Sequence, residues 1–211
     1  MIAIVDYGIG NIRSVFKAFQ HLGAEVEMAW DRETLARAGG VVLPGVAAFG
    51  DAMARLQALR LTEPLREAVA AGKPFLGICV GMQVLFEESE ELGRHRGLGL
   101  LPGRVRRFGG PVRVPQMGWN QIFPVREDPL LAGIRPGECV YFAHSYYVEP
   151  ADGSVVLAET DYGLRYPSVV GQGRLYGIQF HPEKSQEVGL RTLRNFIALV
   201  EVGSHGGPAS H

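Results

Sequence analysis

The sequence predicts an α/β fold: a mixed, mainly parallel central sheet with helices on both faces and added antiparallel strands. Three observations carry that reading. Short apolar runs alternate with amphipathic stretches through the first hundred residues, the spacing of parallel strands joined by helices. Beyond about residue 100 the chain changes to short strand-like runs separated by turns. Glycine is abundant, 28 of 211 residues. That is about twice the usual share, as expected of many tight loops around a packed sheet.

The elements follow in order. Ile2–Asp6 is an apolar run ending before Gly8 and suits a buried strand. Residues 12–22 carry Val15, Phe16, Phe19 and Leu22 at helical spacing, and Gly23 stops them. Ala24–Ala29 alternates as a strand does. Asp31 is placed to cap a short helix running to Ala38. Val41–Leu43 is a second buried strand. Helical patterns cover 51–59 and 62–71, with Gly72 closing the latter, and Phe75–Cys79 is a third buried strand. Met82–Glu88 reads as the opening of a helix. Segments 104–108, 112–115, 139–143, 155–159, 168–171 and 174–180 read as strands, and a helix near 186–201 closes the fold. Residues 1–202 thus form one domain. The stretch 203–211, of Gly, Ser, His, Pro and Ala with one of each rarer type, reads as a frayed tail.

Composition removes several classes of function. The net charge is −1, with 20% charged and 46% hydrophobic residues, so bulk nucleic-acid or anionic-membrane binding has no electrostatic basis. Two cysteines, Cys79 and Cys139, do not make a disulfide scaffold. The longest uncharged stretches, 38–50 and 74–86, are broken by Gly or Pro and too short to span a bilayer. The first residues lack the basic lead and small-residue cleavage site of a signal peptide, and a cytoplasmic location is expected. Asp6-Tyr7-Gly8-Ile9-Gly10-Asn11 invites a dinucleotide reading, but the third glycine would fall at Arg13. Neither a P-loop nor metal-ligand spacing occurs, and no cofactor or metal is expected.

The strongest local signal is Gly77-Ile78-Cys79-Val80-Gly81. An apolar strand runs into it and an apolar segment leaves it, the cysteine counterpart of a nucleophile elbow. A sharp strand-to-helix turn projects the central side chain, and flanking glycines remove β carbons that would clash. The following backbone N–H groups favour a thiolate, and that of Val80 is aimed where an oxyanion would form. A cysteine nucleophile needs a base. His21 lies on a helix, His95 in a charged loop, and His144 ends an aromatic strand. His181 follows the apolar Gly177-Ile178-Gln179-Phe180 and precedes Pro182-Glu183, at the strand end where sites form in α/β sheets. Glu183 can orient the imidazole as the third member of a triad does. Leu43-Pro44-Gly45-Val46 ends another strand, and its N–H groups are placed to complete an oxyanion hole.

Taken together, the Pro-Gly loop, the cysteine elbow and His-Pro-Glu about a hundred residues later resemble the class I glutamine amidotransferases, whose fold is flavodoxin-like. Asp6–Asn11, Gly77–Gln83, Gly118-Trp119-Asn120 and Phe180–Ser185 look more specifically like the glutaminase subunits of imidazole glycerol phosphate synthases, over residues 1 to about 200. The resemblance implies a Cys79–His181–Glu183 triad and an oxyanion hole from the backbone of Val80, Gly45, Val46 and Ala47. It implies glutamine binding by Gln83, Glu91, Ser145 and Tyr146. It also implies transfer of ammonia to a (β/α)8-barrel cyclase subunit of the synthase, in a heterodimer serving histidine biosynthesis, with Asn11 and Trp119 at the interface.

Two positions depart from that pattern. Ala47 stands where the family usually has glycine; a left-handed backbone there would cost alanine about 1–2 kcal/mol. Gln116 stands where the family often has histidine, which bears on the partner-facing loop. Other readings stay open at this point: a free-standing γ-glutamyl hydrolase, the subunit of another synthase, and a silent binding module on the same fold.

Overall fold

The computed structural model describes residues 1–205, with side chains to residue 203. Of the tail expected over 203–211, residues 203–205 instead continue the last helix, and 206–211 lie outside the described residues. The first half forms β1 (Ile2–Val5), α1 (Ile12–His21), β2 (Val26–Ala29), α2 (Arg32–Arg37), β3 (Gly40–Gly45), α3 (Phe49–Ala58), α4 (Thr62–Ala70) and β4 (Phe75–Cys79). The expected stop signals work as such. Gly23 and Gly72 take positive φ after α1 and α4. The Asp31 side chain accepts the N–H of Thr34 at 2.8 Å to cap α2.

After β4 come the single turn α5 (Val80–Gln83), β5 (Phe86–Ser89), β6 (His95–Arg96), β7 (Leu101–Arg107), β8 (Gln116–Pro124), β9 (Glu138–His144) and β10 (Tyr146–Pro150). Strands β11 (Val156–Asp161), β12 (Arg165–Gln172) and β13 (Leu175–Ile178) precede the long helix α6 (Gln186–His205). Nine strands form one sheet in the order β2-β1-β3-β4-β13-β12-β11-β8-β9. The first five are parallel and the rest antiparallel. The parallel part has the doubly wound 2-1-3-4-5 order. Right-handed crossovers on either side of β1 therefore put helices on both faces. On one face α1 and α6 meet through an edge-to-face contact of Phe19 and Phe196. A second, four-stranded sheet has the order β10-β7-β5-β6. Among the described residues no helix is long and apolar enough to cross a membrane.

Four expectations need correction. The helix expected over Met82–Glu88 ends at Gln83, and Phe86–Ser89 is strand. The carbonyls of Val84 and Leu85 accept N–H groups from Leu98 and Leu100, at 2.7 and 2.8 Å, in place of helical partners. Every residue from Met82 to Phe86 is buried, and a run buried on all sides has no face to distinguish helix from strand. The strand expected at 112–115 is not formed: Pro115 has no N–H for a ladder, and pairing begins with Gln116 opposite His144. Consequently Gly118-Trp119-Asn120 sits within β8 and not in a loop, and His95 is likewise on a strand.

Candidate active site

The site is built where β3 and β4 end side by side, with Gly45 paired to Cys79. Close packing dictates the glycines. A β carbon on Gly77 would lie 2.5 Å from the Gly81 carbonyl oxygen, and one on Gly81 would lie 1.7 Å from that of Leu43. One on Gly45 would meet the Tyr7 hydroxyl at 2.5 Å. The turn α5 can therefore lie directly on β3 and β4 only with these residues absent of side chains. Cys79 pivots between strand and turn at φ 55°, ψ −112°, a left-handed conformation that costs a non-glycine residue about 1–3 kcal/mol. The thiol is buried, 2% exposed.

His181 and Glu183 arrive from the other side, on the segment leaving β13, which pairs with β4 in parallel. The imidazole Nδ1 is 3.2 Å from Glu183 Oε1, and both side chains are buried. Pro182 starts a tight turn through Lys184, which fixes their separation. Burial pushes the His181 imidazole down, but hydrogen bonds to Cys79 and Glu183 and the charges of both outweigh it. The net result is a rise from 6.5 to about 10. His181 is thus cationic at neutral pH, held between Glu183 and Cys79.

This turn is clamped to the end strand of the sheet. The His181 N–H donates to the Tyr141 carbonyl and the Tyr141 N–H donates to Ser185 Oγ, both at 2.9 Å. Ser185 Oγ in turn donates to the His181 carbonyl at 2.6 Å. Because its backbone groups face outward, Tyr141 is a non-hydrogen-bonded position opposite Trp119 of β8. The two rings meet edge to face at 6.1 Å, and Trp119 is 49% exposed. Its β8 neighbour Met117 and the loop residue Val46 are also exposed.

The loop Gly45–Ala48 joins β3 to α3. Tyr7, from the Asp6–Asn11 segment, lies beneath it and donates its hydroxyl to the Pro44 carbonyl at 2.9 Å. Burial, and then the neighbouring Cys79, hold that phenol well above its ordinary range, so it stays a donor. Asn11 opens α1 and accepts from Ser14 Oγ at 2.7 Å. Ala47 is not in the left-handed region, so the alanine carries no such strain here. Glu91 crosses from the β5–β6 connection, and its Oε2 accepts the Phe49 N–H at 2.6 Å, capping α3 just past the loop. Burial, and then the charge of Glu91, raise the Tyr146 phenol above its usual range. Ser145 holds the same turn through its carbonyl, which accepts the Phe108 N–H at 3.0 Å. The residues read from the sequence therefore converge, except that Asn11 and Trp119 lie toward the surface.

Gln116 departs from its expected setting. Its side chain is buried and not partner-facing. Its Oε1 accepts the Tyr166 hydroxyl at 2.9 Å, and its Nε2 has no partner among the described residues. The Tyr166 hydroxyl is also 3.2 Å from His144 Nε2, while His144 Nδ1 is 2.7 Å from the Tyr146 carbonyl. A carbonyl only accepts, so Nδ1 carries the proton. Burial pushes His144 down from 6.5 to about 4, partly offset by the Tyr146 bond and reinforced by the charge of His181.

That shift has a measurable sign. Between pH 6.5 and about 4 the unfolded chain takes up a proton at His144 that the folded chain refuses. Stability is expected to fall with pH through this window, by about 3 kcal/mol from this group. His181, whose value is raised, acts in the opposite sense and only between 6.5 and about 10, where its contribution is lost as pH rises. Urea unfolding at about pH 7 and about pH 5 should show a smaller loss in His144→Gln than in the parent. Equal losses in both would contradict the assignment.

Against known proteins, residues 3–199 match the family Glutamine amidotransferase class-I. The chain belongs to the class-I glutamine amidotransferase family. The amidotransferase is 51% identical over 203 residues to a protein of Syntrophotalea carbinolica named Imidazole glycerol phosphate synthase subunit HisH, covering 93% of this chain and 98% of that one. It is 50% identical to the protein of the same name from Geobacillus kaustophilus, covering 98% of this chain and all of that one. A crystal structure of a glutamine amidotransferase superposes with a TM-score of 0.75 at 22% identity, over 95% of this chain and all of the other. The structure of PurLQS from Thermotoga maritima superposes with a TM-score of 0.74 at 20% identity, over 93% and 97%. These two likenesses concern the fold.

Two residues of the amidotransferase site escaped the sequence reading. Gln179 is wholly buried beside Cys79; a polar residue inside Gly177–Phe180, an otherwise apolar strand end, was its signal. Tyr7 carried no separate signal within its glycine-rich segment.

Proposed function

We propose that the chain is the glutaminase subunit of an imidazole glycerol phosphate synthase, a cytoplasmic enzyme of histidine biosynthesis. The observation that carries this reading is the identity of about half, over nearly their whole length, to curated proteins named as that subunit. In this reading the Cys79 thiolate attacks the side-chain carbonyl carbon of glutamine. A C–S bond forms, and the oxygen becomes an oxyanion held by backbone N–H groups of Val80 and of the loop Gly45, Val46 and Ala47. His181, protonated at neutral pH, gives its proton to the departing nitrogen; the C–N bond breaks, and ammonia leaves behind a γ-glutamyl thioester. Neutral His181 then takes a proton from water as the water oxygen attacks the thioester. The C–S bond breaks, releasing glutamate and restoring the thiolate. Glu183 keeps the imidazole oriented and supports its charge. Gln83, Glu91, Ser145 and Tyr146 hold the amino-acid end of glutamine.

The ammonia passes to a (β/α)8-barrel cyclase subunit, which uses it to form imidazole glycerol phosphate and an aminoimidazole carboxamide ribonucleotide. Trp119, Met117 and Val46 are exposed apolar side chains offered to that partner, with Asn11 as a further interface residue. Trp119 contacts Tyr141, whose backbone grips the His181 turn, so a partner seated there presses on the triad through a single residue. With Cys79 and His181 both buried, the lone chain is a poor glutaminase.

Glutamate release measured with and without a candidate cyclase, its nucleotide substrate present, tests this reading. Stimulation of about 100-fold is expected, the upper range of ordinary coupling between sites. A rate that the cyclase leaves unchanged, whether high or nil, would favour a free-standing hydrolase or the subunit of another synthase.

A further inference from the structure

Beyond the triad, the geometry points to Gln179 as a further catalytic residue: its side-chain amide donates an N–H to the sulfur of Cys79, with Gln83 fixing which end of the amide faces the thiol. The inference deepens the proposed glutaminase reading and rests on it for its meaning, though its test needs neither glutamine nor partner.

The argument is one of donors and acceptors. Gln83 Nε2 is 3.0 Å from the Tyr146 carbonyl oxygen. A carbonyl oxygen only accepts, so the Gln83 group facing it is the NH2 and not the oxygen. The same nitrogen is 3.1 Å from a terminal atom of Gln179. An NH2 group only donates, so that atom is the Gln179 oxygen, Oε1. The Gln179 nitrogen is thereby turned to the other side, where it lies 3.6 Å from Cys79 Sγ. Two amides in series thus transmit the polarity of one fixed carbonyl to the nucleophile. Neither end is free to turn over. Gln83 is 2% exposed and Gln179 is wholly buried, so water cannot replace a lost bond. Gln179 is also pinned by its backbone, whose N–H donates to the Ser168 carbonyl at 2.9 Å.

An N–H held against sulfur in a dry site favours the anionic form of that sulfur over the thiol. His181 supplies charge to the thiolate and must surrender its proton during the reaction. Gln179 has no proton to lose, so it holds the sulfur through every step in which the thiolate is present or returns. The arrangement also restricts Gln83. Both of its N–H bonds are spent on Tyr146 and Gln179, so it meets substrate only through its oxygen, as an acceptor.

The test is alkylation of Cys79 by iodoacetamide, a neutral probe, followed across pH in the full chain with Cys139→Ser to remove the exposed second thiol. Mass spectrometry locates the label. Burial of the site sets the limiting rate at high pH, whereas the hydrogen bond sets where along the pH axis the rate rises. Gln179→Met keeps the volume and deletes the donor. Its profile is expected to move to higher pH, with alkylation below the midpoint slowed about tenfold and the limiting rate kept. Gln179→Glu should move it further, because a carboxylate oxygen then faces the sulfur. Gln83→Met, which frees the Gln179 amide to turn, should move it in the same direction by less. A folded Gln179→Met protein whose profile superimposes on the parent's overturns the inference. Should that variant fail to give the parent's circular dichroism and melting, the Gln83→Met profile decides in the same way. Failure of cyclase to stimulate glutamine hydrolysis would count against the proposed function and leave this result standing.

Discussion

Cys79→Ala is expected to abolish glutamine-dependent synthesis by the assembled enzyme, a loss of about 10⁶-fold that takes the rate to background. Synthesis fed with free ammonia should continue at the parent rate, since in the proposed reading that chemistry belongs to the cyclase partner. The size of the first effect follows from the chemistry. No other thiol lies in the site, and an oxyanion hole without a nucleophile leaves water to attack a resonance-stabilised amide. Ammonia-dependent synthesis is the control on folding and assembly. If both activities are lost, the substitution has damaged the interface and the result says nothing of the thiol; if neither is lost, Cys79 is not the nucleophile.

Gly81→Ala is expected to have the largest effect on stability, more than about 4 kcal/mol, and to leave little folded protein. The new β carbon would fall 1.7 Å from the Leu43 carbonyl oxygen and 2.8 Å from its carbon, both backbone atoms of the central strand β3. No side chain can rotate to relieve that. Either α5 lifts off the sheet, taking Cys79 with it, or β3 leaves its register with β4. Gly109→Ala, where a β carbon meets nothing within 4 Å, should stay within about 0.5 kcal/mol of the parent. Chemical unfolding of the two variants side by side checks the pair. A Gly81→Ala protein as stable as Gly109→Ala would show that α5 has room to move.

The parallel half of the fold was legible because β1, β3, β4 and β13 are buried along their whole length and α1 and α4 end on glycines that take positive φ. The elbow was legible for a related reason: the clashes that forbid a β carbon at Gly77 and Gly81 leave a signature in the sequence itself. The antiparallel half was less so. Strand β8 buries only Gln116 and Ile122, carries Gly118 in its first half and follows Pro115, so neither hydropathy nor propensity marks it. Buried Gln116 and buried Gln179 defeat such reading altogether. A polar side chain in the interior is decided by partners from other elements, Tyr166 in one case and Gln83 in the other. Helix or strand was undecidable for Met82–Phe86, where all five residues are buried.

The clamp between Tyr141 and the turn His181–Ser185 has a consequence for how the protein behaves in crowded solution. Strand β9 is the last of nine, and a terminal strand with unpaired backbone groups is a template on which another chain can add. Here the outward N–H and carbonyl of Tyr141 are already taken by Ser185 and His181. The segment that carries His181 therefore also occupies the middle of this edge strand, where an added strand would have to pair. Loosening it, for instance by removing the Ser185 hydroxyl, would free an outward backbone group of Tyr141 as well as release the imidazole, so selection against edge pairing and selection for turnover act on the same five residues.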